Sequence, residues 1–262
     1  MPDSSYISFI VDASRRFSHH VIKAADGADD QSVHDFRVAA KELDAFYCPL
    51  MNVAETSQGQ RMTQWRSHLF KIYKPAGKYR NAFMIHKLGK QVKVWDHLPC
   101  AEVRLLTRMQ HLKAQFISEL ASYQPPRFNK IHSLLKHLEP LLSAEIDNVI
   151  HQNFVKAHPL MVLPAGMHWH DARRCFKKNH FLLRARLRIG ANVNDDEMVV
   201  LTDLLEKELG HWHDWALLLH FLNPELKHSP EVATLIHARV FENEQAILRY
   251  FGVYKMKQDV MT

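Results

Sequence analysis

One thirteen-residue pattern occurs twice in this chain, and the repeat constrains the fold more than any other feature. His34-Asp35-Phe36-Arg37-Val38-Ala39-Ala40-Lys41-Glu42-Leu43-Asp44-Ala45-Phe46 returns as His170-Asp171-Ala172-Arg173-Arg174-Cys175-Phe176-Lys177-Lys178-Asn179-His180-Phe181-Leu182. Each residue of the second copy lies 136 positions after its counterpart, with His-Asp, Arg and Lys at identical offsets. Matches at a fixed period point to a duplicated structural unit.

The spacing is helical. At 100° per residue, His34, Arg37 and Lys41 fall within an arc of about 60°, and His170, Arg173, Lys177, His180 and Arg184 within about 80°. An apolar stripe of Val33, Phe36, Ala40, Leu43 and Tyr47 runs beside the first arc. Such a helix buries one face and carries a row of cations along the adjoining seam. On one helix alone, a solvated basic face explains the row. Two copies in register favour a shared binding seam.

Strand-like alternation is absent, glycine is scarce (8 residues) and prolines fall mostly between periodic stretches, so the chain reads as all-α. Its 262 residues can bury a sizeable core. The cysteines, Cys48, Cys100 and Cys175, form no disulfide framework and no Cys-x-x-Cys, which suits a reducing, cytoplasmic compartment. No basic leader and no apolar run of spanning length is visible, so neither secretion nor a membrane anchor is expected.

The net charge of +6 is sharply segregated. Thr56 to Trp95 holds nine Lys/Arg and no acid; Asn148 to Asn194 holds eight against Asp171 alone. These windows carry +9 and +7, leaving −10 for the remainder. Cations concentrated on particular elements attract polyanions.

The expected elements follow from caps and breakers. A first helix spans 4 to about 24, Ser32-x-x-Asp35 opens the motif helix as a capping box, and Pro49 stops it. Gln58 to Val94 is helical but interrupted or kinked at Lys74-Pro75-Ala76-Gly77. Pro99 opens a helix to Tyr123, shorter helices cover 127–138 and 141–156, and Lys156 to Gly166 is a linker with Pro159 and Pro164. The second motif helix ends at Gly190, Asn194 caps the next, and Pro230 starts a last helix reaching Lys255.

A second echo follows each motif. Gly77-Lys78-Tyr79-Arg80-Asn81 answers Gly210-His211-Trp212-His213-Asp214 at an offset of 133, which also relates Lys74 to Lys207. The expected fold is a single domain over 1–262. It is built from halves of about 1–138 and 139–262, two four-helix bundles related by a pseudo-twofold axis with the basic rows facing one another.

These residues resemble the CHAD family, the conserved histidine α-helical domain. The matches are His34, Arg37, Val38 and Lys41 with Gly77 and Arg80, then His170, Arg173, Lys177 and Lys178 with Leu209, Gly210, His213 and Asp214. The resemblance spans essentially the whole chain. It implies two four-helix bundles around a basic groove or pore that binds inorganic polyphosphate, with association to polyphosphate granules. The implied ligand-binding residues are His34, Arg37, Lys41, Lys74, Arg80, His170, Arg173, Lys177, Lys178, Arg184, Lys207 and His213. Glu42, Asp44, Asn81 and Asn179 depart from the family pattern, and the first two partly oppose the first row. The second motif helix, with more cations, is therefore expected to contribute the larger share.

Polyphosphate carries a negative charge at every phosphate and presents no base edges, so it calls for many Lys, Arg and His donors. No catalytic residue, cofactor or metal site is expected. His168-x-His170 and His211-x-His213 point about 200° apart on a helix, and neither His-x-x-x-His nor His-Glu-x-x-His occurs. P-loop and Gly-x-Ser-x-Gly signatures are also missing. The rivals are nucleic acid, stacking on Trp65, Tyr73, Tyr79 and Trp95 of the basic stretch, and a metal-binding or scaffold protein with a vestigial groove.

Overall fold

The computed structural model describes residues 5–123, 136–190 and 195–261, and among them every regular element is helical. In chain order these are α1 (Tyr6–Gly27), α2 (Asp30–Val53), α3 (Thr56–Gln91), the short α4 (Val94–His97) and α5 (Pro99–Ala121). A 3-10 turn at Lys136–Leu138 leads into α6 (Glu139–Val162), followed by α7 (Met167–Arg188), α8 (Asp195–Leu226) and α9 (Pro230–Met261). No helix among the described residues is long and apolar enough to cross a membrane.

Local chemistry sets several ends. Ser5 caps α1 in a reciprocal box with Ser8. α2 begins earlier than the sequence suggests: Asp29, not Ser32, is the cap, accepting from the Ser32 backbone N–H at 2.6 Å. Ser32 takes the third helical position instead, returning its hydroxyl to the Asp29 carbonyl at 3.0 Å. Gly190, beyond α7, adopts φ +86°, a conformation that favours glycine.

Pro49, Pro75 and Pro159 lie inside helices. α2 passes through Pro49 to Val53, α3 is continuous through Pro75, and α6 continues through Pro159, which shrinks the linker to Leu163–Gly166. An interior proline costs about 3 kcal/mol of helix stability. Pro49 and Pro75 are buried, and tertiary packing on these long helices outweighs the local cost. The expected helix over 127–138 and the Asn194 cap lie outside the described residues, apart from the 3-10 turn.

The helices pack in two sequential groups. α1, α2, α3 and α5 are joined α1–α2, α2–α3, α3–α5 and α5–α1; α6 to α9 are joined α6–α7, α7–α8 and α8–α9. The rings of Phe154 and Tyr254, 5.2 Å apart, bring α6 and α9 together. The groups meet along α2–α7 and α3–α8, with α1 and α2 also touching α6.

The apolar core does not divide at the same place. One cluster joins Phe9, Phe46 and Leu50 to α6, α7, the first half of α8 and Tyr254; the other joins Phe17 and Phe36 to α3, α5 and the second half of α8. On α2 the change falls between Leu43 and Ala45, and on α8 between Trp212 and Trp215. The repeated polar motifs sit at that junction. Each half therefore completes the other's core, and the position of the cations is fixed from both sides.

Candidate functional site: a cationic seam between four helices

The motif rows on α2 and α7 approach one another, and the two glycine echoes lie directly behind them. Arg37 crosses α3 at Gly77, where a methyl group would stand 2.5 Å from Nη1; Arg173 crosses α8 at Gly210, where it would stand 3.0 Å from Nη2. The glycines are thus the space into which the guanidinium groups fit. This gives the spacing of the two echoes one physical cause.

The two arginines find different partners. Arg37 lies over the Tyr73 ring at 4.5 Å and donates from Nη1 to the Tyr73 carbonyl at 3.3 Å. Arg173 instead donates to Glu206 Oε1 at 3.0 Å, and Lys177 donates to Glu206 Oε2 at 2.9 Å. Glu206 is only 6% exposed. Burial works to raise its pKa, but Arg173 and Lys177 outweigh that and hold it at about 2. The offset of 133 that relates Gly77 to Gly210 relates Tyr73 to Glu206. At matching places, one half has an aromatic ring and the other a carboxylate.

Lys41 is the counterpart of Lys177 and has no such carboxylate bonded to it. It makes no hydrogen bond or ion pair among the described residues. Burial pushes its pKa well below the usual lysine value, and Arg173 and Arg37 push it further. Arg37 is lowered likewise, by burial first and then by Arg173 and Arg80 against the opposing effect of Tyr73. Arg80 reaches toward Asp30, Nε to Oδ1 3.6 Å. These couplings join α2, α3 and α7 in one cationic cluster with a single deeply buried counter-ion, Glu206.

Histidines close one side. His170 and His213 stack with ring centroids 5.1 Å apart, and His213 Nδ1 lies 3.1 Å from Asp214 Oδ1. Beneath them Trp169 and Trp212 meet at 5.4 Å, so each His-Trp-His-Asp string sends its tryptophan into the core and its second histidine to the seam. Burial, then His213 and Arg173, lower His170 to about 4. His34 is exposed, yet partial burial of its ring and the charge of Arg80 also lower its pKa.

Three buried polar atoms without partners belong to this cluster. Arg80 Nη1, Arg173 Nε and His170 Nδ1 are buried without a hydrogen-bond partner. Most buried polar groups in folded proteins are paired, so a group of orphans in one place calls for a ligand or water.

Not every expected residue joins the cluster. Lys178 points to Asp44 Oδ2 at 3.7 Å, and Lys207 is exposed and paired with Asp203 at 2.6 Å. Lys74 and Arg184 are exposed. Glu42 and Asp44 do not oppose the row as free acids. Glu42 binds Arg16 of α1 at 2.9 Å, and Asp44 binds Arg66 at 2.7 Å while facing Lys178. Both serve as ties between helices. No group of three or more His, Cys, Asp or Glu among the described residues could hold a metal ion.

The histidines give the free protein a pH dependence. His170 has a folded pKa of about 4 against 6.5 for an unperturbed histidine, so between those values the unfolded chain binds more protons. Stability should therefore fall as pH drops from 6.5 toward 4, and His170→Gln should flatten that fall. Thermal melts at half-unit pH intervals measure both.

Fold and site define an all-α protein with a cationic seam at the meeting of two four-helix groups. The fold is CHAD-like: the crystal structure of the CHAD domain from the plant Ricinus communis superposes with a TM-score of 0.64, covering 94% of this chain and 89% of that one at 11% identity. No family model matches the chain, and no curated protein matches it in sequence.

Proposed function

We propose that this protein binds inorganic polyphosphate, or a closely similar phosphate-rich polyanion, along the α2–α7 seam, without catalysis. The observation that carries the reading is a pair of buried donors without partners, Arg80 Nη1 and Arg173 Nε, with the unpaired ring atom His170 Nδ1 and a Lys41 that makes no bond among the described residues. A buried donor left unpaired costs about 1–3 kcal/mol, which a phosphate oxygen entering the seam would recover. Charge-assisted bonds from Arg and Lys to phosphate are the stronger kind, and Arg can engage two oxygens at once. The exposed Lys74, Arg184 and Lys207 would guide the chain in and hold its flanking phosphates. Binding in the cytoplasm, at polyphosphate granules, belongs to the same proposal.

The share of each half is proposed differently from the sequence expectation. Arg173 and Lys177 are already occupied by Glu206, whereas Arg37 and Lys41 face no bonded carboxylate. The first motif helix therefore supplies the more available cations.

Nucleic acid is disfavoured by the fate of the aromatics. Tyr79 and Trp95 are buried, Tyr73 lies under Arg37, and Trp65 is half-buried against the core, so the four offer no open row of stacking faces. Competition at physiological ionic strength tests the choice, since at low salt any basic patch binds any polyanion. Polyphosphate should displace single-stranded DNA of equal total charge at least tenfold more effectively than the reverse. Equal displacement would favour nucleic acid.

A further inference from the structure

The cation row of α7 runs on past the seam. Counted from Arg173, the residues Lys177, His180, Arg184 and Arg188 keep to one face of the helix, within an arc of about 80° at 100° per residue. Lys177 is held by Glu206, and His180 Nε2 lies 3.9 Å from Asp203 Oδ1. Arg184, one turn further, is exposed and makes no ion pair among the described residues.

At Arg188 the row meets α1. The guanidinium groups of Arg188 and Arg16 both lie 5.8 Å from the centre of the Phe9 ring. Asp12 links Arg188 to Arg15, with Oδ2 at 3.9 Å from Arg188 Nη2 and Oδ1 at 3.4 Å from Arg15 Nη1. Arginines from two helices thus gather around two carboxylates, Asp12 and Glu42, and these differ in kind. The Glu42 side chain is only 12% exposed and holds Arg16 at 2.9 Å, so that pair ties α1 to α2. The Asp12 side chain is 40% exposed, both of its contacts are long, and Arg15 and Arg188 are themselves exposed. Surface ion pairs of that kind contribute little to stability and exchange readily for a better anion. The four residues after Gly190, Ala191 to Asn194, carry no acid.

We propose that Arg184, Arg188 and Arg15 form a second stretch of the binding site, a track that carries polyphosphate out of the seam along α7 and over the crossing with α1. The inference rests on the polyphosphate reading of the seam and adds a preference for chain length to it. Arg173 and Arg188 are fifteen residues apart, about 22 Å along the axis at 1.5 Å per residue. A ligand of three phosphates occupies the seam and is too short to reach the track; a long chain covers both. Each arginine of the track can then exchange the Asp12 carboxylate for a bidentate pair of phosphate oxygens.

Titration of the full chain at physiological ionic strength with two probes, tripolyphosphate and polyphosphate several tens of units long, tests the proposal. Arg15→Gln with Arg188→Gln should weaken long-chain binding about tenfold and lower its salt slope by about two, while tripolyphosphate affinity stays within about twofold of wild type. Asp12→Asn, which frees both arginines without removing a cation, should tighten long-chain binding at least about threefold and leave tripolyphosphate unchanged. That gain keeps the test decisive should the double variant fold poorly. Equal losses for both probes would mean that the arginines act through the fold and form no track. Long-chain binding indifferent to the double variant or to Asp12→Asn would equally overturn it. A wild type that binds neither probe is a separate outcome, which would sink the seam reading itself and the track with it.

Discussion

Replacing Glu206 by Gln is expected to destabilise the free protein by about 3 kcal/mol and to tighten polyphosphate binding about tenfold. Glu206 is the one deeply buried anion of the seam and holds both Arg173 and Lys177. Removing its charge strands two partly buried cations, and breaking a buried pair from one side costs roughly 3–5 kcal/mol. For a chain of this size that is a fall in Tm of roughly 5–10 °C. The same change removes the negative charge that an incoming phosphate must approach. Polyphosphate at a hundred times Kd should return about 2.7 kcal/mol, most of the lost stability. Melts with and without polyphosphate, beside a titration, measure all three quantities. Weaker binding by Glu206→Gln would mean that the carboxylate orients Arg173 for the ligand and does not compete with it. The pH course follows: Glu206 contributes stability above the ordinary glutamate value near 4.5, lost as pH falls through about 2.

Lys41→Met should do the opposite on both axes. Lys41 is a half-buried amine bonded to no acid among the described residues, held among Arg37, Arg173 and Lys177 with Glu206 opposing them, and its pKa is driven well below normal, by desolvation first. A folded value below the unfolded one means that the unfolded chain binds more protons over the range between the two, so protonation of Lys41 opposes folding. Methionine keeps the length and fills the same space without the charge. The variant should melt higher, by about 1 kcal/mol or more of stability. It should bind polyphosphate at least tenfold more weakly, because one charge-assisted contact is worth about 1.5–3 kcal/mol. Wild-type stability should rise as pH climbs toward the ordinary lysine range, and the variant's should not. A variant that is both less stable and unchanged in binding would make Lys41 a packing residue alone.

The fold was legible in the sequence because its signal is periodic. The repeated rows, the scarcity of glycine and the absence of alternation gave an all-α chain with rows brought together, and α2 and α7 do meet. Boundaries were less legible because proline speaks only for the local backbone. Pro49, Pro75 and Pro159 each lie inside a helix that continues past them. The candidate seam was half legible. His34, Arg37, Lys41, Arg80, His170, Arg173, Lys177 and His213 follow from the two echoes, and the structure brings them together. Glu206 was missed because its part depends on how α8 is rotated against α7, which no motif states. The offset of 133 that aligned the glycines held the signal, since it sets Glu206 against Tyr73. Glu42 and Asp44 looked like charges opposed to the row because a sequence does not reveal Arg16 and Arg66 as their partners.

A crystal structure of the protein with a short polyphosphate tests the binding seam most directly. Phosphate oxygens should lie within hydrogen-bond distance of Lys41 Nζ, Arg80 Nη1 and Arg173 Nε, between α2 and α7. A chain bound only along the exposed Lys71, Lys74 and Lys78 face of α3, with the seam donors still unpaired, would contradict it.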